Sequence, residues 1–147
     1  MSLLSFERRF ETIKVYPSKL STSSNNIFDE KAVDYISMNL SELTQNNWVK
    51  EQLCCFDVTG NSMEPILPDG ARILVNTAIQ DMIDGKVYVL RKGTEIFIKR
   101  LYKLFDEDKF IAKSDNPLYP ELQIDLNNKK SDLKIIGMAV QRLSTPL

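Results

Sequence analysis

Two side chains could do chemistry together here, a serine at position 62 and a lysine at position 99. Ser62 lies in the run Gly60-Asn61-Ser62-Met63-Glu64-Pro65. A Gly-Asn turn ahead of an apolar residue and a proline presents a serine rather than burying it. A serine nucleophile needs a base to take its proton. The chain has no histidine, so a Ser-His-Asp arrangement and His-ligated metals are both excluded. Lysine is the remaining base with precedent. Lys99 sits in an apolar stretch between Phe97, Ile98 and Leu101. Phe97 and Leu101 share its face of a strand, and Ile96 and Ile98 occupy the other. Both faces read as buried. Burial disfavours an ammonium and lowers its pKa, which equips a lysine as a general base. Each residue alone has a plain reading, Ser62 as a turn serine and Lys99 as a strand lysine reaching water. The Gly-x-Ser-Met-x-Pro context, with the lysine 37 residues on (99 − 62), favours the pair.

The elements that must position them read as strands. From residue 52 onward short apolar runs alternate with turn signals, the mark of a mostly β chain. Strands are expected at Leu53–Val58, Ile73–Val75, Val87–Leu90, Glu95–Phe105, Phe110–Ala112, Leu122–Leu126 and Ile135–Val140. Turns are expected at Pro68-Asp69-Gly70, Lys92-Gly93-Thr94, Asp106-Glu107-Asp108 and Asn127-Asn128, with a corner at Pro117–Pro120. Upstream, Thr12–Tyr16 is extended and Val33–Met38 is a strand. Asn39 or Ser41 caps one short helix carrying Leu40 and Leu43 and ending near Asn46-Asn47. The polar run Ser21–Asn26 reads as a flexible loop or tether. Residues 1–27 form an N-terminal arm or linker, and 28–147 form the domain.

Composition bounds the function. The 147 residues are 43% hydrophobic and 27% charged, as in an ordinary globular domain. The formal net charge is −1, which argues against this segment binding nucleic acid by itself, since phosphate neutralisation needs a Lys/Arg surplus. No apolar run approaches the ~20 residues of a membrane span. Met1–Phe10 carries Glu7, Arg8 and Arg9 and does not read as a signal peptide. Neighbouring Cys54 and Cys55 point to opposite faces of a strand and are read as buried thiols in a reducing cytoplasm. Lys129-Lys130 and Asp106-Glu107-Asp108 are read as solvated turn charges. Trp48 and Phe28 are read as cover for the edge of the core. No cofactor or metal is implied.

Several segments in order resemble the S24-type peptidase domain shared by LexA, UmuD and many phage repressors. They are Val58–Pro65, Pro68–Val75, Asp84–Leu90, Ile98-Lys99-Arg100-Leu101, Ser114–Pro120 and Ile136-Gly137. The resemblance covers roughly Ile27 to Ser144. It implies a compact, strongly bent β structure of the LexA and signal-peptidase type that dimerises through about Leu133 to Arg142. It further implies Ser62 as nucleophile, Lys99 as general base, and the backbone amides of Asn61 and Ser62 as the oxyanion hole. Met63 and Pro65 would shape the turn, and the Asn116-Pro117 corner would be structural. The family's reaction is cleavage of its own chain upstream of the serine, commonly at Ala-Gly or Cys-Gly, triggered by RecA filaments on single-stranded DNA. Cleavage separates a DNA-binding head from the dimerising body.

This chain departs from that pattern twice. Residues 1–27 are too short and irregular for a helix-turn-helix, so DNA contact is expected only through a head outside this segment. Neither Ala-Gly nor Cys-Gly occurs; the five glycines are Gly60, Gly70, Gly85, Gly93 and Gly137. Self-cleavage is therefore expected to be inefficient. The leading expectation is the dimerisation and Ser-Lys peptidase domain of a phage-type repressor. The alternatives are a UmuD-like polymerase accessory subunit, a signal-peptidase-like protease, which would need a membrane segment, and an interaction domain with a relic dyad.

Overall fold

A computed structural model describes residues 9–79, 81–105, 108–128 and 132–143. Met1–Arg8, Asp106, Glu107, Lys129 and Lys130, read above as the chain start and solvated turns, lie outside the described residues. The chain is mostly β, one nine-stranded sheet with a single short α-helix among the described residues. The strands are β1 (Phe10–Tyr16), β2 (Asp34–Asn39), β3 (Leu53–Asp57), β4 (Arg72–Asn76), β5 (Lys86–Lys92), β6 (Glu95–Lys103), β7 (Lys109–Lys113), β8 (Leu122–Asp125) and β9 (Leu133–Leu143). Their order across the sheet is β2-β1-β3-β4-β9-β5-β6-β7-β8. All pairs are antiparallel except β1 with β3.

The expected strands are present. β6 stops at Lys103 rather than Phe105, because Leu104 N–H turns to donate to Lys109 O at 3.0 Å and leaves Phe105 fully exposed. β9 is longer than Ile135–Val140 at both ends, and it serves two partners in succession. Its residues 138–143 pair with β4, and its residues 133–138 pair with β5. Gly137 sits at the changeover. A Cβ there would lie 2.5 Å from Asn76 O, so only glycine lets the end of β4 pass so close.

Period-two alternation divides the core. In β3, Cys54 and Phe56 enter one cluster with Tyr16, Met63, Ile73 and Val89. Leu53 and Cys55 enter another with Ile13, Val15 and Leu74. The two thiols are thus buried, free and on opposite faces. Phe28 packs against the first cluster and Trp48 against the second. The helix α1 (Leu40–Gln45) is capped by Asn39, whose side chain accepts from Ser41 N–H at 2.9 Å, and it buries Leu43. Asn47, at φ 56°, turns the chain out of it.

The polar run Ser21–Asn26, read above as a flexible tether, is fastened on its inner side. The buried Glu30 carboxylate accepts from Ser21 N–H (2.6 Å), Ser21 Oγ–H (2.5 Å) and Lys31 N–H (3.0 Å). Buried Arg91 donates to the carbonyls of Thr22 (2.9 Å), Ser24 (2.6 Å) and Gly93. A run of serines suggested freedom; two buried ions hold it, Glu30 close by in sequence and Arg91 from β5. Burial pushes the Glu30 pKa up, but the hydrogen bonds led by Ser21 outweigh it and set it below 4.5. The stabilisation is therefore present above the unfolded carboxylate value and is lost as pH falls through the lower folded value. Glu30→Ala strands these donors and is expected to cost about 1–3 kcal/mol in urea unfolding at neutral pH. Glu30→Gln, which keeps one acceptor, is expected to cost less.

Candidate active site

The Ser62 turn leaves the end of β3 and is pinned on both sides. Gly60, at φ 80°, turns the chain, and its N–H donates to Asp69 Oδ1 at 2.7 Å. Met63 is fully buried and anchors the turn in the core. Glu64 N–H donates to Asn61 O and Leu67 N–H to Met63 O, closing the turn on itself. Ser62 is left half-buried at the surface of a cavity of about 120 Å³.

Lys99 comes to the same cavity from the middle of β6, and Ser18, Asp57, Met63 and Phe97 complete much of the wall. Ser62 and Lys99, 37 residues apart in sequence, therefore face one small hollow. Lys99 Nζ donates to Ser114 Oγ at 2.6 Å and lies 5.7 Å from the centre of the Tyr119 ring. Among the described residues no carboxylate lies within ion-pairing distance of Lys99. Asp57, the acid in the cavity wall, is held by Arg72 through Nε at 2.6 Å and Nη2 at 3.0 Å. On its other side Lys99 borders an apolar hollow of about 270 Å³ with Leu90, Phe97, Ala112 and Ile124. Burial without a countercharge pushes the Lys99 pKa below its ordinary 10.5.

The loop after β7 closes the site. Asn116 N–H donates to Ser62 O at 2.9 Å, Asn116 Nδ2 donates to Asn61 O at 3.1 Å, and the Tyr119 hydroxyl donates to Asn61 Oδ1. The carbonyls of Asn61 and Ser62 are thus both fixed from outside the turn. The amides of Asn61 and Ser62 take no acceptor among the described residues. The Asn116-Pro117 corner, read as structural, turns out to hold the turn itself. Ser114, only 2% exposed, was not singled out as a site residue. Its signal was weak, one serine heading a polar Ser-Asp-Asn-Pro corner.

The upstream segment also reaches the site. Ile96 N–H donates to Ser18 O at 3.1 Å, and Leu20 N–H donates to Thr94 O at 2.7 Å. Lys19 bridges Glu95 as a one-residue strand, which brings Ser18 into the cavity wall. A larger cavity, about 580 Å³, lies elsewhere, between residues 25–28 and the start of β9. Arg91 in its wall already has three carbonyl partners. Among the described residues no group of acidic, cysteine or histidine side chains could hold a metal ion, and no helix is long and apolar enough to cross a membrane.

The chain is 37% identical over 83 residues to the repressor protein CI of Enterobacteria phage phi80. It is 42% identical over 84 residues to the HTH-type transcriptional regulator PrtR of Pseudomonas aeruginosa. Each match covers 56% of this chain and 33% of the relative, so the chain spans about a third of the length of these curated relatives. The family described as Peptidase S24-like matches residues 14–140, beginning within β1 and so reaching further upstream than the resemblance at Ile27. With that match running from the first strand through most of the last, the chain belongs to the Peptidase S24-like family.

Proposed function

We propose that this chain is the Ser-Lys peptidase and dimerisation part of a phage-type transcriptional repressor. The observation that carries the chemistry is the shared cavity of Ser62 and Lys99, with the amine partly desolvated and, among the described residues, free of any ion pair. In the neutral state Lys99 Nζ takes the proton from Ser62 Oγ as that oxygen attacks a peptide carbonyl carbon. The carbonyl oxygen gains charge facing the amides of Asn61 and Ser62. Lys99 then returns the proton to the departing amine, and water hydrolyses the acyl ester. Two relatives named as a repressor and an HTH-type regulator favour this reading over a polymerase accessory subunit. In the repressor reading DNA is bound by a head outside this segment, a second copy joins along β9, and a RecA filament is a candidate trigger.

The nucleophile is tested with a fluorophosphonate, whose phosphorus accepts Ser62 Oγ while fluoride leaves and Lys99 holds the proton. Because Lys99 titrates below 10.5, labelling is expected to rise with pH, about tenfold per unit, and to level off before pH 10.5. Ser62→Ala is expected to remain unlabelled. A pH-independent rate, or equal labelling of Ser62→Ala, would overturn the assignment. Self-cleavage is followed separately by mass spectrometry, and without an Ala-Gly or Cys-Gly bond it is expected to be slow.

A further inference from the structure

Lys99 shares a cavity with Ser62 but hydrogen-bonds to Ser114, and the residues next to Lys99 and Ser114 fix that contact. Lys99 and Arg100 are neighbours on β6, and Ser114 and Asp115 are neighbours just past the end of β7. The strands are in register as far as Arg100 opposite Lys113. On one face Arg100 grips Asp115 with two bonds of 2.9 Å and donates to Gly85 O. On the other face Lys99 Nζ meets Ser114 Oγ at 2.6 Å. The ion pair fixes the backbone that carries Ser114, so the buried hydroxyl is a stationary acceptor.

We infer that Ser114 is a positioning residue for Lys99, holding the amine so that its lone pair is presented to Ser62. The inference rests on reading Ser62 and Lys99 as nucleophile and base. A neutral amine has two N–H bonds and one lone pair. Tying one N–H to a fixed hydroxyl restricts the rotation that would turn the lone pair away from the cavity. A hydroxyl suits this task because it carries no charge. A carboxylate in its place would pair with the ammonium and hold the proton on.

The test compares Ser114→Ala, Ser114→Thr and Ser114→Asp with the unaltered chain, using fluorophosphonate labelling of Ser62 across a pH series and thermal unfolding of each variant. Ser114→Ala is expected to label about 100-fold more slowly. That deficit is expected to persist on the alkaline plateau, where every lysine base is neutral, because geometry and not ionisation has been lost. Ser114→Thr, which keeps the hydroxyl, is expected to recover most of the rate. Ser114→Asp is expected to move the midpoint of the profile to higher pH. Labelling of Ser114→Ala at the unaltered rate would overturn the inference while leaving the dyad intact. Equal slowness of a folded Ser114→Thr variant would also overturn it, by assigning the loss to packing. Absence of Ser62 labelling in the unaltered chain at every pH would instead sink the dyad and this inference with it.

Discussion

Replacing Lys99 with methionine is expected to slow the reaction of Ser62 by about 10²–10⁴-fold, the usual range for a positioned general base. The pH dependence should vanish with it. Methionine fills nearly the same space beside Phe97 and the Tyr119 ring, so the fold should survive. The stability measurement makes the point sharper. The folded pKa of Lys99 lies below its unfolded 10.5, so the unfolded chain binds the proton more tightly between those values. Stability therefore rises with pH through that window, and the full cost of the buried ammonium is present below it. Lys99→Met removes that cost, and its urea midpoint at neutral pH is expected to equal or exceed that of the unaltered chain. A variant less reactive yet no less stable is the signature of a residue kept for chemistry. A variant that retained the rate and its pH profile would remove Lys99 from the mechanism.

Gly137→Ala is expected to be the most damaging single-methyl change in the fold. The new Cβ would lie 2.5 Å from Asn76 O, 2.8 Å from Thr77 Cα and 2.9 Å from Asn76 C. All three obstacles are main chain, and none is a flexible side-chain tip that can swing aside. β9 and the end of β4 must separate, so the cost is expected near the upper end of overpacking, about 3 kcal/mol, read from thermal or urea unfolding. Alanine at Gly93, where a Cβ meets nothing within 4 Å, gives the comparison: there only the φ of +59° is strained. If Gly137→Ala unfolds within about 0.5 kcal/mol of the unaltered chain, in the range of a neutral surface change, β4 and β9 are not packed as described.

Much of this was legible in the sequence because strands announce themselves locally. Alternation in Leu53–Val58 and the Gly93 turn are visible within a few residues, and Asn39 marks the helix start by its own chemistry. The Ser62 turn and Lys99 were legible by type and context. Their pairing was expected from that context, whereas the cavity they share depends on strand order, which local patterns do not give. Ser114 was missed because a lone serine has no signature until a lysine from another strand points at it. The fastening of Ser21–Asn26 was hidden for a related reason: the holding groups, Glu30 and Arg91, are charged residues that composition assigns to the surface. β1 was placed in an arm, yet it lies inside the sheet between β2 and β3. Its parallel pairing with β3 spans some 40 residues that local patterns do not connect.

The division of labour along β9 has a mechanical consequence. Ser62 belongs to the flank built from β2, β1, β3 and β4, and Lys99 belongs to the flank built from β5, β6, β7 and β8. Among the described residues β9 is the strand that pairs with both flanks, while the Lys19–Glu95 bridge and the Asn116 and Tyr119 crossties also span them. A change in the twist of β9 is therefore expected to shift the hydroxyl relative to the amine. On the proposed function, a partner that grips β9 is expected to change the reactivity of Ser62 from a distance, touching neither Ser62 nor Lys99.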